Sequence, residues 1–346
     1  MFLSLPYLAV TSLMYAPFTT TMVRYRANYA PKNPPQTSNR NSGSTTGNNT
    51  EVQTGDDVGS VIEVNGYFAM MNRINKIEGL SGFLKGFVPS ILYGFFAIIR
   101  GVLLRYLIGS GLEEGSNEFR FNSWYWTINH FVWGVIVLPF DIIINRAICT
   151  PYLLSFTQSP SIALSVLLSP SERKRPWKLY RSDLLTTVMI SFSLFLLVRW
   201  LNIDGTMSSD SSGEEDKEMR VFQMNRLHLY AASIILRNLT RIPLDVVSTR
   251  LMLQRYRDGS TQSSLPEGEE PNASQLGLRK YSAYAKVIGV RSQSNPYTSL
   301  YDCIIKMKRE EGWKVFYRGF WLSVLSSFSW IFIVTVFSSW RSPSSD

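Results

Sequence analysis

The sequence predicts an all-α membrane protein with six transmembrane helices in three pseudo-repeats. Two observations carry this. An apolar stretch runs into a proline that is followed seven residues later by an arginine, and it does so three times, at Pro17 and Arg24, Pro139 and Arg146, and Pro243 and Arg250. The charge of the loops also alternates in sign, in step with six apolar segments.

Those segments are Phe2 to Thr20, Val88 to Ile108, Trp124 to Ile144, Leu184 to Leu201, Leu227 to Val247 and Phe320 to Phe337. Each is near the roughly 20 residues that a helix rising 1.5 Å per residue needs to cross the hydrocarbon. The chain after the odd segments is basic. It carries Arg26, Lys32, Arg40, Arg73 and Lys76, then Arg173, Lys174, Arg175 and Lys178, then a run from Arg255 to Arg309. The chain after the second and fourth segments is acidic, with Glu113, Glu114 and Glu118, then Asp204, Asp210 and Glu214 to Glu218. Buried helices of a soluble protein have no reason to produce that phase relation.

The repeats are expected at 1–109, 110–205 and 220–341, with polar insertions at 28–60 and 258–276. Asn28 to Ser60 and Asp258 to Leu276 are rich in Ser, Thr, Asn, Gly and Pro and read as disordered, and a third polar run covers Gly205 to Glu218. Met1 leads almost directly into the first apolar segment, so no cleaved presequence is expected and import would use internal signals.

Composition excludes several function classes. A net charge of +9 is spread over loops without a nucleic-acid motif, so nucleic acid is not an expected partner. His130 and His228 lie on different segments, and Cys149 and Cys303 form no cluster, so no metal site is expected. No phosphate loop, dinucleotide fingerprint or nucleophile elbow is present, so neither enzyme activity nor a cofactor is expected.

Around the prolines the chain reads Pro-Phe-Asp-Ile-Ile-Ile-Asn-Arg from Pro139 and Pro-Leu-Asp-Val-Val-Ser-Thr-Arg from Pro243, which places Asp141 and Asp245; the first copy has Thr19 there. Glu78-Gly79 precedes Gly86 by eight residues, and Glu311-Gly312 stands in the same relation to Gly319. In the second copy Tyr180-Arg181-Ser182 holds that place with serine for glycine, and Lys174-Arg175 falls where the acidic-Gly pair belongs. With these elements in this order, the chain resembles the mitochondrial carrier family, solute carrier family 25. Outside the polar insertions the resemblance covers essentially the whole chain.

The resemblance implies a carrier fold in which Pro17, Arg24, Pro139, Asp141, Arg146, Pro243, Asp245 and Arg250 are signature positions. In transporting members each acid pairs with the basic residue five after the proline in the next repeat. Those positions here are Met22, Ile144 and Ser248, all uncharged. Asp141 and Asp245 are therefore expected to be unpaired, or to pair with Arg146, Arg250 or another nearby cation. The second charge network, near the ends of the even helices, maps to Arg105, Leu201 and Ser338 and to Ile108, Asp204 and Arg341, and is equally reduced. Substrate contacts map to Tyr93, to Met189 with Ile190, and to Ser326; Arg100 and Arg237 are further candidates for lining a cavity.

Taken together, the resemblance implies a degenerate member of the family. It is expected to act as an adaptor in mitochondrial fusion or membrane organisation, like the carrier relatives of the outer membrane. Its expected partners are the lipid bilayer and mitochondrial fusion GTPases, and the outer mitochondrial membrane is favoured over the inner. The alternative is an inner-membrane carrier that exchanges a small-molecule metabolite.

Overall fold

The computed structural model describes residues 4–32, 62, 64–109, 118–154, 159–200, 216–255, 279–282, 286–291 and 296–328. The described part of every predicted apolar segment is helical. The helices are α1 (Ser4–Ala27), α3 (Phe87–Gly109), α4 (Glu118–Cys149), α7 (Ser182–Trp200), α8 (Asp216–Leu253) and the helical residues 320–328. Four shorter helices join them: α2 (Tyr67–Phe83), α5 (Pro160–Leu167), α6 (Pro170–Lys174) and α9 (Leu300–Glu310). Among the described residues the only β pairing is a single antiparallel bridge between Tyr152 and Lys280.

Among the described residues, two helices are long and apolar enough to cross a bilayer, over Phe87–Leu104 and Thr127–Cys149, and a shorter apolar stretch covers Ser182–Leu197. Only 11% of the first window and 33% of the second is buried inside the protein. Leu92, Phe95, Phe96, Ile99, Val102 and Leu103 are all exposed along α3. The core helix of a soluble protein hides such residues, whereas a helix facing lipid presents them.

The three proline-bearing helices α1, α4 and α8 each pack against the other two. Helix α3 rests on α1 and α4, and α7 rests on α4 and α8. The largest core lies where α4, α7, α8 and α9 meet, and includes Ile142, Leu184, Ile242, Val246, Leu251, Cys303 and Met307. Helix α9 reaches it with Leu300, Cys303 and Met307, which share one face of the helix; Ser299 caps its start by accepting from the Asp302 amide.

The odd helices extend beyond their predicted ends. Helix α1 continues to Ala27, so Arg24 and Arg26, read above as following the span and as loop charge respectively, both lie on it. The first polar insertion also starts later than residue 28. Asn28 is buried, donates from Nδ2 to the Ile62 carbonyl at 2.9 Å and accepts the Gly289 amide on Oδ1 at 2.8 Å. Tyr29 donates its amide to the Gly289 carbonyl at 2.9 Å, and a Cβ on Gly289 would lie 2.9 Å from the Tyr29 carbonyl oxygen. One asparagine thus pins the chain at both ends of the 33–61 segment and again after the second insertion, and Gly289 is required by the close approach. The remainder of both insertions, and most of Gly205 to Glu218, lies outside the described residues.

Replacing Asn28 with Ala leaves the Ile62 carbonyl and the Gly289 amide buried and unanswered. The expected loss is about 2–4 kcal/mol, against under about 0.5 kcal/mol for Asn72→Ala at an exposed position of α2. Thermal unfolding of the two purified variants in the same detergent checks this.

Candidate functional site

The arginine seven residues after each proline ends in a buried ion pair within its own repeat. Arg250 meets Glu311 through two bonds, Nη1 to Oε1 at 2.6 Å and Nη2 to Oε2 at 3.0 Å. Arg146 meets Glu172 likewise, at 2.8 and 3.0 Å. Arg24 Nη2 lies 2.7 Å from Glu78 Oε2 but out of hydrogen-bonding alignment, and Lys85 supplies the aligned bond to Oε1 at 2.5 Å. All these side chains are almost completely buried.

The same arginines reach into the neighbouring repeat. Each Nε donates to a carbonyl nine residues after the next proline: Arg24 to Ile148 at 2.9 Å, Arg146 to Met252 at 2.8 Å, and Arg250 to Arg26 at 3.0 Å. A second cation from each repeat takes the carbonyl two residues further on. Lys85 bonds Thr150 at 2.7 Å, Arg181 bonds Gln254 at 3.2 Å, and Arg318 bonds Asn28. The last turns of α4, α8 and α1 would otherwise expose unpaired carbonyls at the negative end of the helix dipole. The ends of α1, α4 and α8 are therefore capped in a closed cycle.

Buried beside Arg24, Lys85 is brought down to about 8 even though Glu78 opposes the shift. The folded protein thus holds this proton less tightly than the unfolded chain. The contribution to stability improves as pH rises from about 8 toward the ordinary lysine value of 10.5. Arg250 goes the other way: burial would lower it, but Glu311 outweighs burial and holds it above its ordinary value.

Two turn chemistries serve the same geometry. Gly79, Gly86, Gly312 and Gly319 have φ between 66° and 91° and end their helices or turns in the left-handed region. The second repeat instead bends at Tyr180, with φ −80°, ψ 65° and a 2.9 Å bond from the Arg181 amide to the Leu179 carbonyl, an inverse γ-turn open to any residue. Ser182 can therefore stand where the other copies have glycine. The acid of this repeat is Glu172, not the Lys174-Arg175 position reached by counting back from Ser182. It closes a capping box with Ser169. The pattern Ser169-Pro-Ser-Glu172 was the available sequence signal.

Asp141 and Asp245 do not pair with Arg146 or Arg250, whose guanidiniums are committed to Glu172 and Glu311. Asp245 instead takes Arg26 of α1 at 3.4 Å, with Arg241 of its own helix at 3.7 Å. Arg26 lies one helical turn beyond Met22, so one cross-repeat pair persists with its cation displaced by a turn. Asp141 has no cation within 4.0 Å among the described residues. Thr19 donates only within α1, to Tyr15 and Ala16.

Among the candidate cavity residues, Tyr93 and Arg100 come together on Trp133 of α4, which the sequence reading missed. The Arg100 guanidinium lies 4.6 Å from the indole centroid and the Tyr93 ring 6.2 Å from it. Met189, Ile190, Ser326 and Arg237 are exposed. The second charge network falls on residues, or side chains, outside those described. A cavity of about 470 Å³ beside the ends of α7, α8 and α9 is lined by Lys178, Arg181, Arg250, Arg255, Arg291 and Asp183, with Arg181 held by Asp183, Arg250 by Glu311 and Arg291 by Glu310. No group of three or more His, Cys, Asp or Glu suited to a metal ion occurs among the described residues.

Replacing Glu311 with Gln strands the buried Arg250 guanidinium, at an expected cost of about 3–5 kcal/mol. Asp302→Asn removes the partly exposed ion pair with Lys306 while its amide oxygen can still accept the Thr298 amide, and it is expected to cost under about 1 kcal/mol. Denaturation midpoints in one detergent compare them directly.

No curated protein matches the chain. Residues 224–340 match the family model for mitochondrial carrier protein, about a third of the chain, spanning most of α8 through the last apolar segment. The match supports the carrier-family resemblance where α8, Pro243, Asp245, Arg250 and Glu311 are found.

Proposed function

We propose that the chain is a carrier-fold protein of a mitochondrial membrane, with six spans in three repeats, that works as an adaptor rather than as an exchanger. The observation behind this is the mismatch between the two sets of charges. A buried ion pair is present in each of the three repeats, whereas the cross-repeat pairs that would open and close a central path are reduced to Arg26 with Asp245.

Magnitudes favour a static bundle. The Asp245 side chain is 34% exposed and its contact with Arg26 is long, so the pair contributes about 1 kcal/mol at most. Moving a two-state equilibrium from mostly closed to mostly open takes about 5.5 kcal/mol of differential interaction. One such pair falls well short, while the clamps resist opening at every odd-helix end.

On this proposal the polar insertions and the oppositely charged loop faces are docking surfaces. Fusion GTPases of the outer membrane are the partners it names, acting in fusion or membrane organisation. The second reading, an inner-membrane carrier for a small metabolite, is favoured by the surviving Arg26–Asp245 contact and by Arg100 inside the bundle.

Purified protein reconstituted in liposomes is expected to show no saturable exchange of labelled nucleotides, carboxylates or amino acids. Exchange at carrier-like rates would instead establish the second reading. Protease added to intact mitochondria is expected to cut the loops without rupture of the outer membrane; cleavage only after rupture would place the chain in the inner membrane and remove the outer-membrane adaptor.

A further inference from the structure

The connection between α8 and α9 carries Arg279, Lys280, Lys286 and Arg291, yet its Val287 and Ile288 are buried, at 8% and 7% exposure. They share an apolar cluster with Ala27 of α1 and with Met70, Ile74 and Phe83 of α2, and Cys149 and Leu253 pack against it. Ala27, Cys149 and Leu253 are equivalent residues, each ten positions after the proline of its helix. The cluster therefore joins the C-terminal ends of α1, α4 and α8, and a pair of side chains from the third repeat sits in it.

The same connection is fastened to all three repeats. The Leu153 amide donates to the Arg279 carbonyl at 2.9 Å and the Tyr281 amide to the Pro151 carbonyl at 3.2 Å, which ties it to the chain after α4. Arg73 of α2 donates from Nε to the Val287 carbonyl at 3.0 Å and from Nη2 to the Lys286 carbonyl at 2.8 Å. Asn28 and Tyr29 hold Gly289 from the end of α1. Arg291 then pairs with Glu310 of α9 at 2.8 Å, and the Tyr29 hydroxyl donates to the same carboxylate at 2.8 Å. Burying an irregular segment is costly unless its backbone groups are answered. Here the carbonyls of Lys286, Val287 and Gly289 and the amide of Gly289 all are.

We propose that residues 286–291 are an autoinhibitory plug. The third repeat seats Val287 and Ile288 where the three odd helices end, which closes that mouth of the bundle to solutes and keeps the ends from parting. The plug adds an apolar lock to the ion-pair cycle. It goes beyond the adaptor reading and does not depend on it, because an exchanger would have to withdraw the same segment before its ends could separate.

Two native thiols make the test internal. Cys149 packs against the plugged cluster, whereas Cys303 is buried in the separate core of α4, α7, α8 and α9. The full chain in lipid nanodiscs is treated with a small sulfonated methanethiosulfonate, and labelling at each cysteine is followed by peptide mass. Both thiols of the unaltered chain are expected to react far more slowly than in the unfolded chain. Ile288→Gln is expected to speed labelling of Cys149 about tenfold or more, and Arg73→Ala about three- to tenfold, with Cys303 unchanged in both. Lys314→Gln at an exposed site alters neither rate. If Ile288→Gln fails to fold, Arg73→Ala decides by the same criterion. Cys149 reacting in the unaltered chain as fast as in the unfolded one, a rate at Cys149 unmoved by either change, or a parallel rise at Cys303 that reports general loosening would each overturn the plug.

Discussion

The bundle depends on a buried guanidinium held by a carboxylate of its own repeat while it caps the helix of the next. Arg24, Arg146 and Arg250 each do this, and the carbonyls they reach follow the same register from the following proline. Burying either ion alone is prohibitive, and the pair is tolerable at Arg146 and Arg250 because nearly every donor of the fork is used, whereas Arg24 makes one aligned bond through Nε and Lys85 supplies the aligned bond to Glu78. Because each capped helix belongs to the next copy, loosening one clamp also uncovers the end of a neighbouring helix. The cycle is thus cooperative in a way that three separate salt bridges would not be.

The interior lacks that symmetry. Position 19 is a threonine bonded within its own helix, Asp141 has no cation among the described residues, and Asp245 reaches Arg26 one turn off the register that the family resemblance implies. The C-terminal end of the odd helices is therefore held in all three copies, while the part that would have to rearrange has kept one contact. Charge within the apolar zone has shifted to Arg100, stacked on Trp133. A static scaffold accounts for this combination more simply than a gate does.

Much of the architecture was legible in the sequence because apolar length and proline register are local properties. The described parts of the six apolar segments are helical, and the arginines seven residues after Pro17, Pro139 and Pro243 occupy equivalent sites. What stayed hidden depended on contacts between copies. Arg26 read as loop charge because nothing local signals that α1 runs on to Ala27. Glu172 was displaced from the counted position because an inverse γ-turn at Tyr180 and a capping box at Ser169 rebuild the linker with a different spacing. Asn28 looked like the start of a disordered insertion, yet its side chain joins Ile62 and Gly289, positions 34 and 261 residues away. Trp133 drew no notice because an aromatic residue in an apolar helix is ordinary until Arg100 is placed over it.

The central claim, that the clamped ends form one fixed arrangement, is tested most directly by spin-label distances across them. Labels at exposed Lys32 and Leu153, with Cys149 and Cys303 replaced by serine, report the separation between the chain after α1 and the chain after α4 in nanodiscs. A single narrow distance population, unchanged by added metabolites, is the expected result. Two populations whose ratio shifts with a metabolite would show that the ends part and rejoin, and would contradict the account.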